Sequence, residues 1–255
     1  GDSVQKSYEE IERLMKEIVE QQNERRKSEL AVLQSQINPH FLYNTLESIT
    51  WMIEGNRNQD AVFMISELAQ LFRISLSRGK TIIRIGDELQ HCRNYMNIQK
   101  YRYKERFVIE YDVSEEIYPF CTVKLILQPI LENAIYYGVG DMDEDEHPRI
   151  LVRGFKKDED IYLMVSDNGM GMRREDVENI MTDNQKVPKH GSGVGLSNVP
   201  TRIHLMFGAG YGLAVESEPD EGTTVTIHLP AIPYTKENCE LLETPGNPSR
   251  NEGEA

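Results

Sequence analysis

Ile161-Tyr162-Leu163-Met164-Val165-Ser166-Asp167-Asn168-Gly169-Met170-Gly171-Met172 is a strand that runs into a glycine-rich turn, and reading it so decides the fold class. Its first half alternates apolar residues, the period of a strand with one buried face. Strands are also read at 106–113, 149–155, 212–217 and 223–229, with helices near 123–137, 173–181 and 194–207. Such a pattern makes an α/β sandwich, with helices covering one face of a mixed sheet. Upstream the pattern is helical throughout, so the whole chain is α+β.

The turn carries the first chemistry. Asp167, at the strand end, can accept the amino group of adenine, and Gly169 and Gly171 let the backbone pass close to a base. A hairpin Asn-Gly turn is the alternative reading. A second segment, Leu127-Gln128-Pro129-Ile130-Leu131-Glu132-Asn133-Ala134-Ile135, is a helix whose apolar face is interrupted by Glu132 and Asn133. The Asn amide offers a neutral oxygen to Mg²⁺, which keeps several waters while bridging phosphates; an exposed helical amide is the plainer reading. The third segment, Gly191-Ser192-Gly193-Val194-Gly195-Leu196, precedes a helix whose N-terminus can receive phosphate oxygens. It lacks the Walker Lys-Ser/Thr and follows a polar stretch rather than a strand, so neither a P-loop nor a dinucleotide fold fits. Residues 173–190, rich in Asp, Glu, Asn and Lys, suit a mobile lid over bound nucleotide. Each segment is weak alone, but their order, with strands and helices between them, is specific.

Val4, Ile11 and Ile18 recur seven residues apart with Leu14 between them, a short coiled-coil seam. The repeat lapses between Glu20 and Ser28 and resumes in another register at Leu30, Leu33 and Ile37. That lapse is either a solvated stretch or a place where helix packing changes. A helix over 58–77 follows the Gly55-Asn56 turn with Val62, Ile65, Leu68, Ala69, Phe72 and Leu76 on one face, and another covers 87–105. Helix, turn and helix make an antiparallel hairpin. Two hairpins from two chains make a four-helix bundle, so a homodimer is expected.

Within Gln36-Ile37-Asn38-Pro39-His40-Phe41-Leu42-Tyr43-Asn44-Thr45-Leu46, helical spacing gathers Leu42, Leu46, Ile49 and Ile53 on one face. His40, Asn44 and Glu47 share the opposite, solvent face. Periodicity alone leaves a surface histidine without a role as an open reading. Pro39 has no N–H and crowds the carbonyl of Ser35, which bends or loosens the helix just before His40. Neutral imidazole is a competent nucleophile toward phosphorus near neutral pH. Asn44, one turn on, is placed to hydrogen-bond the second ring nitrogen, and Glu47 is a further orienting or base residue.

Together these residues resemble the GHKL superfamily of ATP-binding domains, and their union with Asn38-Pro39-His40-Phe41-Leu42-Tyr43-Asn44-Thr45-Leu46 resembles the LytS/YesM-type sensor histidine kinases. The resemblance covers roughly residues 30–230. It implies autophosphorylation of His40 by ATP and transfer to an aspartate of a cytoplasmic response regulator. It further implies Asn133 as Mg²⁺ ligand, with Glu132 as a second candidate, and Asp167 as adenine contact. Gly169 and Gly171 become the first glycine box, Gly191, Gly193 and Gly195 the second, and Thr223 of the closing strand lies near adenine. The domains implied are a signalling helix like a HAMP exit (1–29), dimerisation and phosphotransfer helices (30–105), the ATP-binding domain (106–230) and a disordered tail (231–255). The chain departs from the family at Tyr136 and Tyr137, where Gly138 is often preceded by His, and at Pro200, which should delay or kink its helix. Phe41 follows His40 where many histidine kinases have an acid. Pro129 stands where GHKL ATPases carry a general-base Glu, which favours transfer to histidine over hydrolysis. The alternatives are a nucleotide-binding signalling module without catalysis and a GHKL ATPase.

A length of 255 residues suits two parts, and 39% apolar residues suffice for their cores. The formal charge of −14 repels polyanions, so nucleic acid is not expected as a partner. The three cysteines are odd in number and lack CxxC spacing, as expected of thiols in a reducing cytosol. No apolar run approaches the ~18–20 residues that span a bilayer, and no signal peptide opens the chain. Taken with the resemblance to membrane sensors, which implies a relay helix leaving a membrane region, a cytoplasmic fragment of a membrane-anchored sensor is expected. Residues 141–146 are read as a solvated acidic loop, because an EF-hand needs Gly and Glu where Glu146 and Val152 stand. The remaining histidines and the cysteines lack metal-ligand spacing. Trp51, near the His40 face, marks either a docking surface or dimer packing.

Overall fold

The computed structural model describes residues 13–15, 39–76, 80–140, 142–181, 196 and 198–243. The coiled-coil seam (apart from residues 13–15), the bend before His40, the lid from 182 to 190 and Gly191, Gly193 and Gly195 lie outside them. The chain divides into two compact units, Gly1–Leu46 and Glu47–Ala255, and the boundary falls within helix α1 (Pro39–Glu54).

In the second unit the chain leaves α1 through a tight turn. Gly55 N donates to Trp51 O at 2.9 Å and Arg57 N to Met52 O at 2.7 Å, while Asn56 takes φ 56°. Asn tolerates that left-handed backbone because its short polar side chain bonds locally. Helix α2 (Asn58–Ser75) follows, and its packing differs from expectation. Ala61, Met64, Leu68 and Leu71 are buried, whereas Val62, Ile65 and Leu76 of the expected core stripe are exposed. Polar contacts to α3 (Ile85–Arg102) set this rotation. Asn97 Nδ2 donates to Glu67 Oε2 at 3.0 Å, Tyr101 Oη to Asp60 Oδ1 at 3.1 Å, and Ser75 Oγ lies 2.9 Å from His91 Nε2.

Two short strands, β1 (Ile82–Arg84) and β3 (Cys121–Val123), pair antiparallel beside the start of α3. The main sheet contains β2 (Val108–Val113), β4 (Arg149–Lys157), β5 (Asp160–Asp167), β6 (Gly212–Glu218) and β7 (Gly222–Pro230) in the order β2-β4-β5-β7-β6. Only β2 and β4 run parallel, so the sheet is mixed, as expected. Ile150, Val152, Ile161, Leu163, Val225, Ile227 and Leu229 are buried on one face. Each contributes about 1.5–3 kcal/mol relative to exposure. Helices α4 (Gln128–Asn133) and α6 (Asn198–Phe207) bring Ile130, Leu131, Val199 and Ile203 to that core; α5 (Arg174–Met181) lies between them in sequence.

Two expectations, the extent of the helix read over 123–137 and the disordered tail, are corrected. The helix read over 123–137 begins only at Gln128, because residues 121–123 pair as β3, and it ends in a π-helical turn, Ala134–Val139. The described part of the helix read over 194–207 begins at Asn198. Pro200 therefore sits in its first turn, where a missing N–H leaves no helical bond unmade. Residues 231–243 of the expected disordered tail are folded. Cys121 N donates to Ile232 O at 2.7 Å, Tyr234 N to Pro119 O at 2.8 Å, and α7 (Lys236–Glu243) buries Leu242. Glu243 Oε1 accepts from Thr81 N at 2.9 Å and Ile82 N at 3.1 Å, tying this end of the chain to β1.

Candidate functional site

In the first unit His40 is exposed on α1, and Asn44 Nδ2 lies 3.2 Å from its Nδ1 and 3.3 Å from its Nε2. The two side chains, one helical turn apart, are therefore within hydrogen-bonding reach of each other. The sequence spacing anticipated it. Glu47 and Trp51, also exposed, lie farther along the same helix in the second unit.

The second unit holds a pocket where β5, β7 and α4 meet. Ile130, Val165, Met172, Leu196 and Val225 give it apolar walls, and Asn133, Tyr137, Asp167 and Thr223 supply polar atoms. Three positions expected from sequence, Asn133, Asp167 and Thr223, thus share one cavity. Register explains part of this, since Asp167 closes β5 directly opposite Thr223 of β7.

Burial pushes the Asp167 carboxyl up from 3.8 to about 6, while the amides of Gly169 and Thr223 pull it back. Gly169 N donates to its Oδ1 at 3.0 Å. A recessed carboxylate with a free acceptor edge suits an exocyclic amine, whose two N–H groups donate.

The glycines explain how backbone crowds around this carboxylate. A Cβ on Gly138 would lie 2.7 Å from the Asp167 carboxyl carbon, and one on Gly169 would lie 2.3 Å from the Gly138 backbone. Gly171 has φ +62°, and its Cβ would meet Glu218 O at 1.9 Å. In this structure Gly169 and Gly171 are thus required by close protein backbone, which the sequence reading assigned to a base. Gly138 was not among the expected site residues; its signal was the turn directly after the Asn133 helix.

Asn133 ends α4 and lines the pocket, whereas Glu132 is buried outside the lining residues, where Gln128 Nε2 donates to it at 2.8 Å. Among the described residues no cluster of three His, Cys, Asp or Glu side chains could hold a metal. A lone amide oxygen on the wall of this cavity would suit Mg²⁺ only if phosphate and water supplied its other ligands.

Residues 28–107 match the histidine kinase family, and residues 122–233 match the histidine kinase-, DNA gyrase B-, and HSP90-like ATPases. The chain is 39% identical over 220 residues to the sensor histidine kinase YesM of Bacillus subtilis, covering 86% of this chain and 36% of YesM. It is 31% identical over 203 residues to BtsS of Escherichia coli, covering 80% of this chain and 33% of BtsS. With the sensor protein LytS of Streptococcus mutans, identity is 30% over 220 residues, covering 84% of this chain and 36% of LytS. The chain therefore spans about a third of the length of these relatives. Among solved structures, the catalytic domain of the histidine kinase ThkA is similar, with a TM-score of 0.46 and 15% identity over 60% of this chain and 96% of that one.

Proposed function

Since this chain belongs to the histidine kinases and carries their GHKL-type ATP-binding domain, we propose that it phosphorylates itself on His40 with ATP and passes the phosphoryl group to an aspartate of a response regulator. The observation that carries the reading is the recessed Asp167 carboxylate in an apolar pocket with Thr223 opposite and Asn133 on the wall. Asp167 accepts from the adenine amino group, Val165 and Val225 face the base, and Asn133 lies toward the triphosphate. An unprotonated ring nitrogen of His40 attacks the γ-phosphorus, the bond to the bridging oxygen breaks, and ADP leaves with the electron pair. The proton on the other ring nitrogen goes to solvent or to Glu47, and Asn44 orients the ring. Bound through Asn133, Mg²⁺ would supply charge neutralisation at the phosphates.

The exposed row Val62, Ile65 and Ala69 on α2, continued by Leu76 just past its end, supports the homodimer, since steps of three, four and seven residues make a helix–helix seam. Membrane anchoring rests on the family resemblance; among the described residues no helix is long and apolar enough to cross a membrane.

Incubation with γ-labelled ATP tests the reaction. Label on the wild type should be lost in acid and survive alkali, as a phosphoramidate does. His40→Gln should take no label yet keep ADP affinity within about twofold, because acceptor and pocket lie in different units. Alkali-stable label on that variant would show that another residue is the acceptor.

A further inference from the structure

Where α2 ends and α4 begins, two charged side chains are buried, Glu88 on α3 and Lys124 in the turn before α4, and the half-buried Arg202 on α6 lies against them. Glu88 accepts from three consecutive amides of that turn, Leu125 N at 2.8 Å, Ile126 N at 2.8 Å and Leu127 N at 2.9 Å. Arg202 holds the carbonyl side of the same turn, donating to Lys124 O and, at 3.1 Å, to Leu125 O. Leu125 is kept at φ 58°, a left-handed backbone that a branched residue adopts only when its surroundings enforce it. The turn is therefore clamped on both edges and gripped by two helices.

The Lys124 side chain points elsewhere. Its Nζ donates at 2.9 Å to Ser75 O, the last carbonyl of α2. Carbonyls of a final helical turn lack intrahelical partners, and a cation there meets the negative end of the helix dipole. The neighbouring Ser75 Oγ donates to Leu71 O at 2.9 Å, which leaves the His91 Nε2–H to donate to Oγ. Burial and Lys124 hold that imidazole neutral, with its pKa near 4. One residue thus joins the end of α2 to the start of α4. Helix α4 has six residues and ends at Asn133, so a tilt at its first residue reaches the pocket with little loss.

We propose that Lys124 is a positioning residue that couples the last turn of α2 to the nucleotide pocket, so that nucleotide binding and the order of that turn bias each other through the clamped turn 124–127. The proposal rests on reading the pocket as the nucleotide site. Coupling of this kind is reciprocal: a ligand that favours one arrangement of α4 must favour the arrangement of α2 tied to it.

Hydrogen exchange on the whole chain tests it, with ADP·Mg²⁺ binding followed by calorimetry in parallel. Saturating ADP should slow exchange of the amides at 72–76 about fivefold or more in the wild type. Lys124→Met, which keeps the apolar stem and removes the donor, should abolish that slowing while still binding ADP, and Lys124→Arg should restore it. Slowing that persists in Lys124→Met overturns the proposal. So does a wild type that binds ADP without slowing at 72–76, an arm that needs no variant to fold. A chain that gives no ADP heat overturns the pocket reading and this inference with it, and the calorimeter separates that case from the others.

Discussion

Asp167 shows how one residue's environment sets a measurable pH dependence. Its carboxyl ionises near 6 in the folded chain against 3.8 when unperturbed, mainly through burial. Between those two values the folded form holds a proton that the unfolded chain has lost, so this group makes the unliganded protein less stable as pH rises from about 4 to 6. The proposed recognition of adenine runs the other way, because the charged carboxylate accepts from the amine more strongly than the neutral acid does. Adenine-nucleotide affinity should fall about tenfold from pH 7 to pH 5 in excess of any fall shown by Asp167→Asn, measured calorimetrically on both. At pH 7 that variant should bind more weakly by about 1.5–3 kcal/mol, the size of a hydrogen bond to a charged group. Parallel pH profiles for the two proteins would remove Asp167 from the adenine contact. Gly138→Ala should displace the same carboxylate, since the new Cβ would lie 2.7 Å from it. A loss of about 1–3 kcal/mol in stability is expected from the overpacking, together with weakened ADP binding. Thermal melts with and without ADP would separate the two effects. Asp167 was legible in the sequence because a strand end and a glycine turn are local patterns. The demand on Gly138 was not, because it comes from a side chain that chain folding brings alongside.

At the scale of elements, α2 has apolar residues on two sides, and periodicity cannot say which side the chain itself covers. Long-range polar partners decide it: Asn97 on Glu67, Tyr101 on Asp60 and His91 on Ser75 turn Val62, Ile65 and Leu76 outward. Ile65→Asp should therefore leave the melting temperature of the second unit nearly unchanged while driving the chain to monomer in sedimentation equilibrium. A similar substitution at buried Met64 should unfold it instead, by about 2–5 kcal/mol. A monomeric wild type would leave the outward row without the dimer role assigned to it. Strands β1 and β3 escaped the sequence reading for a related reason. Three residues are too few to establish a period, and the partner of Cys121–Val123 lies some 40 positions earlier in the chain. The main strands, six residues or longer, were found to within about two residues at each end.

For the whole molecule, composition set the class but not the ends. A net charge of −14 is compatible with the proposed nucleotide site only if favourable interactions are supplied locally, and the pocket offers neutral amide and hydroxyl groups rather than a basic surface. The stretch after Pro230 looked featureless because its prolines and glutamates dominate the composition, yet Leu242 and Glu243 anchor it. That anchor has a topological consequence. Glu243 is hydrogen-bonded to the backbone of Thr81 and Ile82, so the first and last described residues of the segment 80–243 are neighbours, and a linker of a few residues would close it into a ring. Its sequence order is then not essential to its architecture. A permutant joined there and opened at the exposed Asp158-Glu159 turn between β4 and β5 should fold and bind ADP, with its nucleotide pocket assembled from the same strands in a new order along the chain.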